Sequence, residues 1–288
     1  MVNAESGTDP LTAPLTYPGL PPRRAAVLVT GTAVLDVLPL RAVPPGEWPV
    51  RRAGRTRRAE LVGPDIPLDR FLRDAGAPPL SQRTPVLSVG SNASPAQVRR
   101  KMSNAGLPTV LPMAAVQVHG LAVGVSAHVS RAGYVPATPV ADPAAVSQLW
   151  VVWLGPEALI AMDATEPNYR RVRLPSRYPV CLTSGAIVPD CSVYLSRHGH
   201  LINSEGEPRR LTDQATLISG LLAEVPGLMT RVGATPREWL RRVQDEQVRE
   251  DIRGLFRAAG IVRTAVLPAG HEPAGHENDP ERVPTEQS

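Results

Sequence analysis

The apolar positions fall into short runs with strand periodicity in the first two thirds of the chain and into helical spacing in the last third. Val27-Leu28-Val29-Thr30, then Gly31, then Ala33-Val34-Leu35 reads as a small hairpin. Leu68 to Ala75 reads as a short helix with Phe71 and Leu72 inward. Pro85 to Val89 suits a buried strand, and Gly90-Ser91-Asn92 a tight turn after it. Ser94 is a good N-cap and Pro95 suits the first helical position, so a helix is predicted from there to about Asn104, with Gly106 just past its end.

Between Val110 and Val125 the apolar positions alternate in two phases that break at Gly120, which predicts a bulge or bend. Leu149 to Leu154 is continuously apolar, as a central strand buried on both faces would be. A short helix follows, Pro156 to about Thr165, with Leu159, Ile160 and Met162 toward the core. Glu166 to Tyr169 is a turn. Arg170 to Leu174 ends in alternation, as an edge or half-buried strand should. Gly185 to Val188 and Ser192 to Leu195 read as two further short strands.

The last third reads as helices. Leu217, Ile218, Leu221 and Leu222 share a face within Leu211–Glu224. Thr235-Pro236-Arg237-Glu238 is a capping box with proline at the first position. A single helix is predicted from Pro236 to about Ala259, burying Leu240, Val243, Val248, Ile252, Leu255 and Phe256. Residues 1–24 are polar, rich in proline and expected to be disordered. Residues 263–288 read as an extended, then disordered, tail.

Composition narrows the function classes. The chain has 288 residues, 42% hydrophobic but only 4% aromatic, so the core rests on Val, Leu, Ile and Ala. Net charge is only +4, which does not point to a nucleic-acid binder. The basic cluster Arg51, Arg52, Arg55, Arg57 and Arg58 reads as a solvated loop or a docking site for an acidic partner or nucleic acid, with no aromatic interleaving for base stacking. Thirty of the 31 basic residues are arginine, and Lys101 is the one lysine. Cys181 and Cys191 fit no metal-ligand spacing and are expected to be thiols in a reducing cytosol rather than a disulfide. No apolar run approaches the ~18 residues of a membrane span, and no signal-peptide pattern opens the chain. A cytoplasmic protein without a membrane partner is the expectation.

Several chemistries lack their residues. A phosphate loop would need Gly-x-x-x-x-Gly-Lys-Ser/Thr, and the one lysine lies elsewhere. There is no Gly-x-Ser-x-Gly elbow. His198 and His200 are too thin a pair to argue zinc. Two features remain. A strand–turn–helix at Gly90–Asn92 aims backbone N–H groups at one point, which favours a carboxylate or an oxyanion. Glu166 follows an apolar helix in a turn between buried elements, where partial desolvation would suit a carboxylate to proton transfer. From composition alone, a surface turn is the favoured reading of Glu166.

Taken in order, six segments resemble the γ-glutamyl cyclotransferase-like superfamily. Val89-Gly90-Ser91-Asn92 resembles its Tyr-Gly-Ser-Asn motif. Ala161 to Arg171, with Glu166 and Tyr169, resembles its Leu-Asp-x-x-Glu-Gly-x-x-Tyr-x-Arg segment. Gly120-Leu121-Ala122-Val123, Pro136-Ala137-Thr138, Leu149–Leu154 and Cys191–Leu195 fall between or after them in fitting order. The resemblance covers about residues 85–200. It implies an α+β fold: a small mixed β-sheet rolled toward a barrel with flanking helices, here followed by C-terminal helices. The organisation expected is an N-terminal extension at 25–80 packed on a core at 81–205, then a helical segment at 206–262.

It also implies a site. Glu166 would be the acid/base, and Val89, Gly90, Ser91 and Asn92 the substrate cradle. Tyr169 and Tyr194 would line the pocket, joined by His128, Ser130 and Arg131 if their loop faces the cleft. Asp163 is expected to accept a hydrogen bond at a helix end. The implied reaction is internal aminolysis of a small γ-glutamyl substrate, whose α-amine attacks its own γ-carbonyl to release 5-oxoproline and an amine. It needs no metal or organic cofactor. Two positions depart from the family pattern: Val89 stands at its tyrosine, removing a hydroxyl, and Pro167 stands at the glycine after the glutamate. They keep a second reading open, a ligand-binding or interaction protein that retains the fold without turnover.

Overall fold

The computed structural model describes residues 9–31, 33–51 and 65–268. Twelve strands and seven α-helices follow one another among these residues. The hairpin β1 (Ala26–Thr30) and β2 (Ala33–Val37) leads to β3 (Pro49–Arg51), β4 (Ile66–Pro67) and α1 (Leu68–Asp74). Then come β5 (Thr84–Ser88), α2 (Pro95–Asn104), β6 (Val110–Val125), β7 (Ala137–Leu154), α3 (Pro156–Ala164) and β8 (Tyr169–Arg173). The last set is β9 (Val180–Leu182), β10 (Ser192–Ser196), β11 (His200–Leu201), α4 (Gln214–Glu224), α5 (Leu228–Val232), α6 (Pro236–Arg242), α7 (Glu246–Ala258) and β12 (Val262–Arg263).

A ten-stranded mixed sheet organises the α+β fold. Its order is β4-β3-β2-β1-β6-β7-β5-β10-β8, with β9 added on β6, and the sheet does not close. The N-terminal strands β1 to β4 extend it beyond the small sheet expected, because β1 pairs with β6 from Ala26↔Ala114 to Thr30↔Val110. β5 and β10 run parallel; the other pairings are antiparallel. β6 and β7 form a long hairpin whose register shifts between His119 and Leu121, at Gly120 with φ +75°. A left-handed residue there is the bend that the change of phase predicts.

The central strands are buried on both faces, which explains their continuous apolar runs. On one face Leu28, Leu87, Val151, Trp153 and Val193 pack with Trp48, Leu68 and Leu72 of the extension. On the other, Val27, Val29, Val86, Trp150, Val152 and Tyr194 meet Val98 and Met102 of α2 and Met162 of α3. A third cluster joins the C-terminal helices to Val125, Ala127, Val129 and Val135. β8 is the sheet edge, in line with its alternating pattern.

Several local expectations change. The predicted 236–259 helix is two helices, since Asp245 caps α7 by accepting from Gln247 N at 2.8 Å and so restarts the ladder. Ile160 faces solvent at 71% exposed, while Leu159 is half-buried and Met162 buried. The strand near 185–188 is displaced to β9, because Gly185 adopts φ +90° and turns the chain back, leaving one bridge, Cys181↔Ile187. Ser94 sits at the N-cap of α2, yet its hydroxyl makes no cap bond. Residues 9–24 lie against the fold: Tyr17 is buried and Leu15 packs on the C-terminal cluster. Two apolar anchors outweigh the polar, proline-rich composition that suggested disorder. Residues 1–8, most of the arginine cluster (52–58) and most of the tail (269–288) lie outside the described residues. Cys181 and Cys191 are free thiols.

Candidate active site

The β5–α2 connection builds one wall of the site. β5 delivers Val89 and Gly90 to a tight turn at Ser91–Ala93, and α2 begins at Pro95. Helical spacing then turns Val98 and Met102 to the sheet, and Lys101 emerges beside them at the end of the turn. The α3–β8 connection builds the opposite wall. α3 ends at Ala164 with Thr165 as its C-cap, Pro167 blocks its continuation, and Glu166 projects from the resulting turn.

The two walls meet in hydrogen bonds. Asn92 Nδ2 donates to Glu166 Oε1 at 2.9 Å across 74 residues of sequence. Lys101 Nζ donates to Asn92 Oδ1 at 2.7 Å and to Glu166 Oε1 at 2.5 Å. The Lys101 and Glu166 side chains are only 9% and 15% exposed, so this is a nearly buried ion pair. Both donors converge on Oε1, and Oε2 has no hydrogen-bond partner among the described residues. Lys101 is a site residue that the motifs miss. Its signal was compositional, the single lysine in a chain that otherwise uses arginine.

The walls enclose a cavity of about 340 Å³. Every site residue expected from the sequence lines it: Val89, Gly90, Ser91, Asn92, Glu166, Tyr169 and Tyr194. His128, Ser130 and Arg131 line it as well. Four of the five tyrosines do so, with Tyr17 and Tyr134 the unexpected two. Two tyrosine hydroxyls are committed to framing. Tyr169 donates to Ala137 O at 2.8 Å, and Tyr194 donates to Asp163 Oδ1 at 2.7 Å. Arg171 grips the same Asp163 through Nε and Nη2, and its hydrogen bonds hold that carboxyl below the usual carboxylate range. Asp163 is thus the helix-end acceptor that its position suggested.

His128 is buried against the cavity at 2% exposed. Its Nδ1 lies 2.6 Å from Ser126 Oγ, which lies 2.7 Å from Ser196 Oγ. Burial, then the His198 ring at 4.6 Å and the Arg253 charge, push its pKa down to about 3, so the imidazole is neutral near pH 7. The C-terminal helices hold this loop in place. Gln214 of α4 bonds both backbone groups of Val135, and Trp239 Nε1 of α6 donates to Gly133 O at 2.9 Å.

Among the described residues no group of three or more His, Cys, Asp and Glu is placed to hold a metal ion, and no helix is long and apolar enough to cross a membrane.

No family model matches the chain, and no curated protein does. Solved structures do. A structure described as a gamma-glutamyl cyclotransferase is 12% identical, aligned over 60% of this chain and 99% of its own, with a TM-score of 0.33. A human protein described as uncharacterised is 14% identical over 60% and 99%, with a TM-score of 0.30. An Arabidopsis thaliana protein is 16% identical over 40% and 70%, also with a TM-score of 0.30. At these values the likeness carries no argument about the reaction, which has to rest on the site.

Proposed function

We propose that the chain is a cofactor-free enzyme of the γ-glutamyl cyclotransferase type, with Glu166 as acid/base and the Gly90–Asn92 turn as cradle. One observation carries the reading: Asn92 of the turn holds Glu166 by a 2.9 Å hydrogen bond inside one cavity. Two segments far apart in sequence thereby bring a single carboxylate and the Gly90–Asn92 turn to the same cavity.

Internal aminolysis asks for little more. The substrate α-amine attacks its own γ-carbonyl, a C–N bond closes the five-membered lactam, and the γ-amide C–N bond breaks. The carboxylate takes the proton lost by the attacking nitrogen and returns it to the departing amine. Oε2 is the oxygen assigned to that transfer, because Oε1 is already engaged by Asn92 and Lys101. Because nucleophile and electrophile share one molecule, positioning supplies much of the barrier reduction. Incubation with a set of γ-glutamyl dipeptides, amines and glutathione, followed by mass spectrometry for 5-oxoproline, tests the reading. Glu166→Gln is expected to abolish the release.

The Lys101–Glu166 contact favours one rival. An ammonium at 2.5 Å occupies the carboxylate that a substrate ammonium would otherwise approach. A ligand-binding protein with a permanently paired glutamate would look the same. It would hold γ-glutamyl compounds and release no lactam.

A further inference from the structure

We infer that Tyr17, from the N-terminal segment, is a ligand-binding residue whose phenolic O–H donates to a carbonyl or carboxylate oxygen held at the Gly90–Asn92 turn. The inference rests on the proposed function for the identity of the ligand, and on geometry for the residue.

The segment 9–19 lies along the first turn of α2. Asp9 accepts from Gln97 Nε2 at 2.7 Å and pairs with Arg100 at 3.4 Å, and Leu11 lines the cavity. These contacts carry Tyr17 to the turn, where it is 5% exposed and stacked on Tyr134 at a centroid distance of 4.2 Å. Its oxygen lies only 2.3 Å from where a Cβ on Gly90 would sit. Position 90 therefore admits glycine alone while Tyr17 is in place. The hydroxyl stands against the backbone that forms the cradle.

The direction of the hydrogen bond follows from the partners already made. The Tyr17 oxygen accepts from Ala137 N at 2.9 Å, and the Ser91 amide also acts on it. No group among the described residues accepts its proton. Tyr169 and Tyr194 differ, since both have spent theirs on protein oxygens. Burial, with Tyr134 and Glu166 adding to it, pushes the Tyr17 pKa far above the ordinary phenol value, so the proton stays on at any working pH. A buried donor without an acceptor is unfavourable, and a ligand oxygen would relieve it.

Two variants test this, with 5-oxoproline as the calorimetric probe and lactam release as the second readout. Tyr17→Phe keeps the ring on Tyr134 and removes the O–H. Gly90→Ala keeps Tyr17 and drives its oxygen off the turn. Each is expected to weaken probe binding at least tenfold and to lower kcat/KM by at least as much, with a cooperative thermal transition retained. A purely structural role would lower the transition temperature and leave the affinity of the folded protein unchanged, which would overturn the inference. Wild-type binding without turnover would reject the proposed function and leave Tyr17 to be judged by affinity. A wild-type chain that neither binds the probe nor releases lactam would overturn both.

Discussion

The 2.5 Å contact of Lys101 Nζ with Glu166 Oε1 joins two charges that water barely reaches. A nearly buried pair of this kind is stabilising only while both partners stay, because removal of one leaves the other charge desolvated and uncompensated. Lys101→Met should therefore lower unfolding stability by about 3 kcal/mol in a urea titration. Lys101→Arg should not restore it, since a planar guanidinium cannot reproduce a point charge shared between Asn92 Oδ1 and Glu166 Oε1. A Lys101→Met protein as stable as wild type would contradict the buried-pair account. At this scale the sequence was informative about Glu166 and the Gly-Ser-Asn turn, because fixed motif order marks both. It was silent on which cation meets Glu166, since an i to i+9 contact from Asn92 to Lys101 depends on how the turn feeds its helix.

At the scale of elements, the C-terminal helices act on the cavity from outside it. They hold the 126–136 loop through Gln214 and Trp239, and that loop carries His128, Ser130 and Arg131 to the cavity. Trp239 is fully buried and its indole N–H is satisfied by Gly133 O. Trp239→Ala should cost about 3–5 kcal/mol, and it should also weaken ligand binding although the residue does not line the cavity. A variant equally destabilised but with wild-type affinity would separate the bundle from the site. The helices themselves were legible, since apolar spacing and the Thr235 capping box mark them plainly. The break at Gln244–Asp245 was harder to read, because apolar positions continue in phase across it and only the Asp245 cap signals the restart. β9 and the pairing of β1 with β6 are long-range, and local patterns do not specify the partners of short strands.

Over the whole molecule, the cavity is assembled from five regions distant in sequence: the N-terminal segment, the β5–α2 connection, the loop around 128–137, the α3–β8 turn and Tyr194 of β10. His128 records their closure, because it is buried with its ring 4.6 Å from that of His198 in the β10–β11 turn and 5.8 Å from that of Tyr169. Its folded pKa, about 3, lies below the ordinary 6.5. The unfolded chain therefore takes up a proton that the folded chain refuses as pH falls from about 6.5 toward 3, and stability is lost across that window. At pH 5 the loss from this group should be about 2 kcal/mol relative to pH 7. His128→Asn should show a shallower decline in urea midpoint over the same interval. An equally steep decline would place the pH dependence elsewhere. The N-terminal part of this assembly was the least legible. Proline-rich polar composition hides one well-placed aromatic, and only the scarcity of tyrosine, five in the chain, hinted that Tyr17 had a partner.

Glu166 either moves a proton or only holds a ligand. Single-turnover release of 5-oxoproline, followed by mass spectrometry in wild type and in Glu166→Gln with an unchanged circular dichroism spectrum, separates the two. Lactam is expected from at least one γ-glutamyl compound in wild type and none above background in the variant. Equal release by both proteins, or binding of γ-glutamyl compounds by wild type with no lactam from any of them, would contradict it.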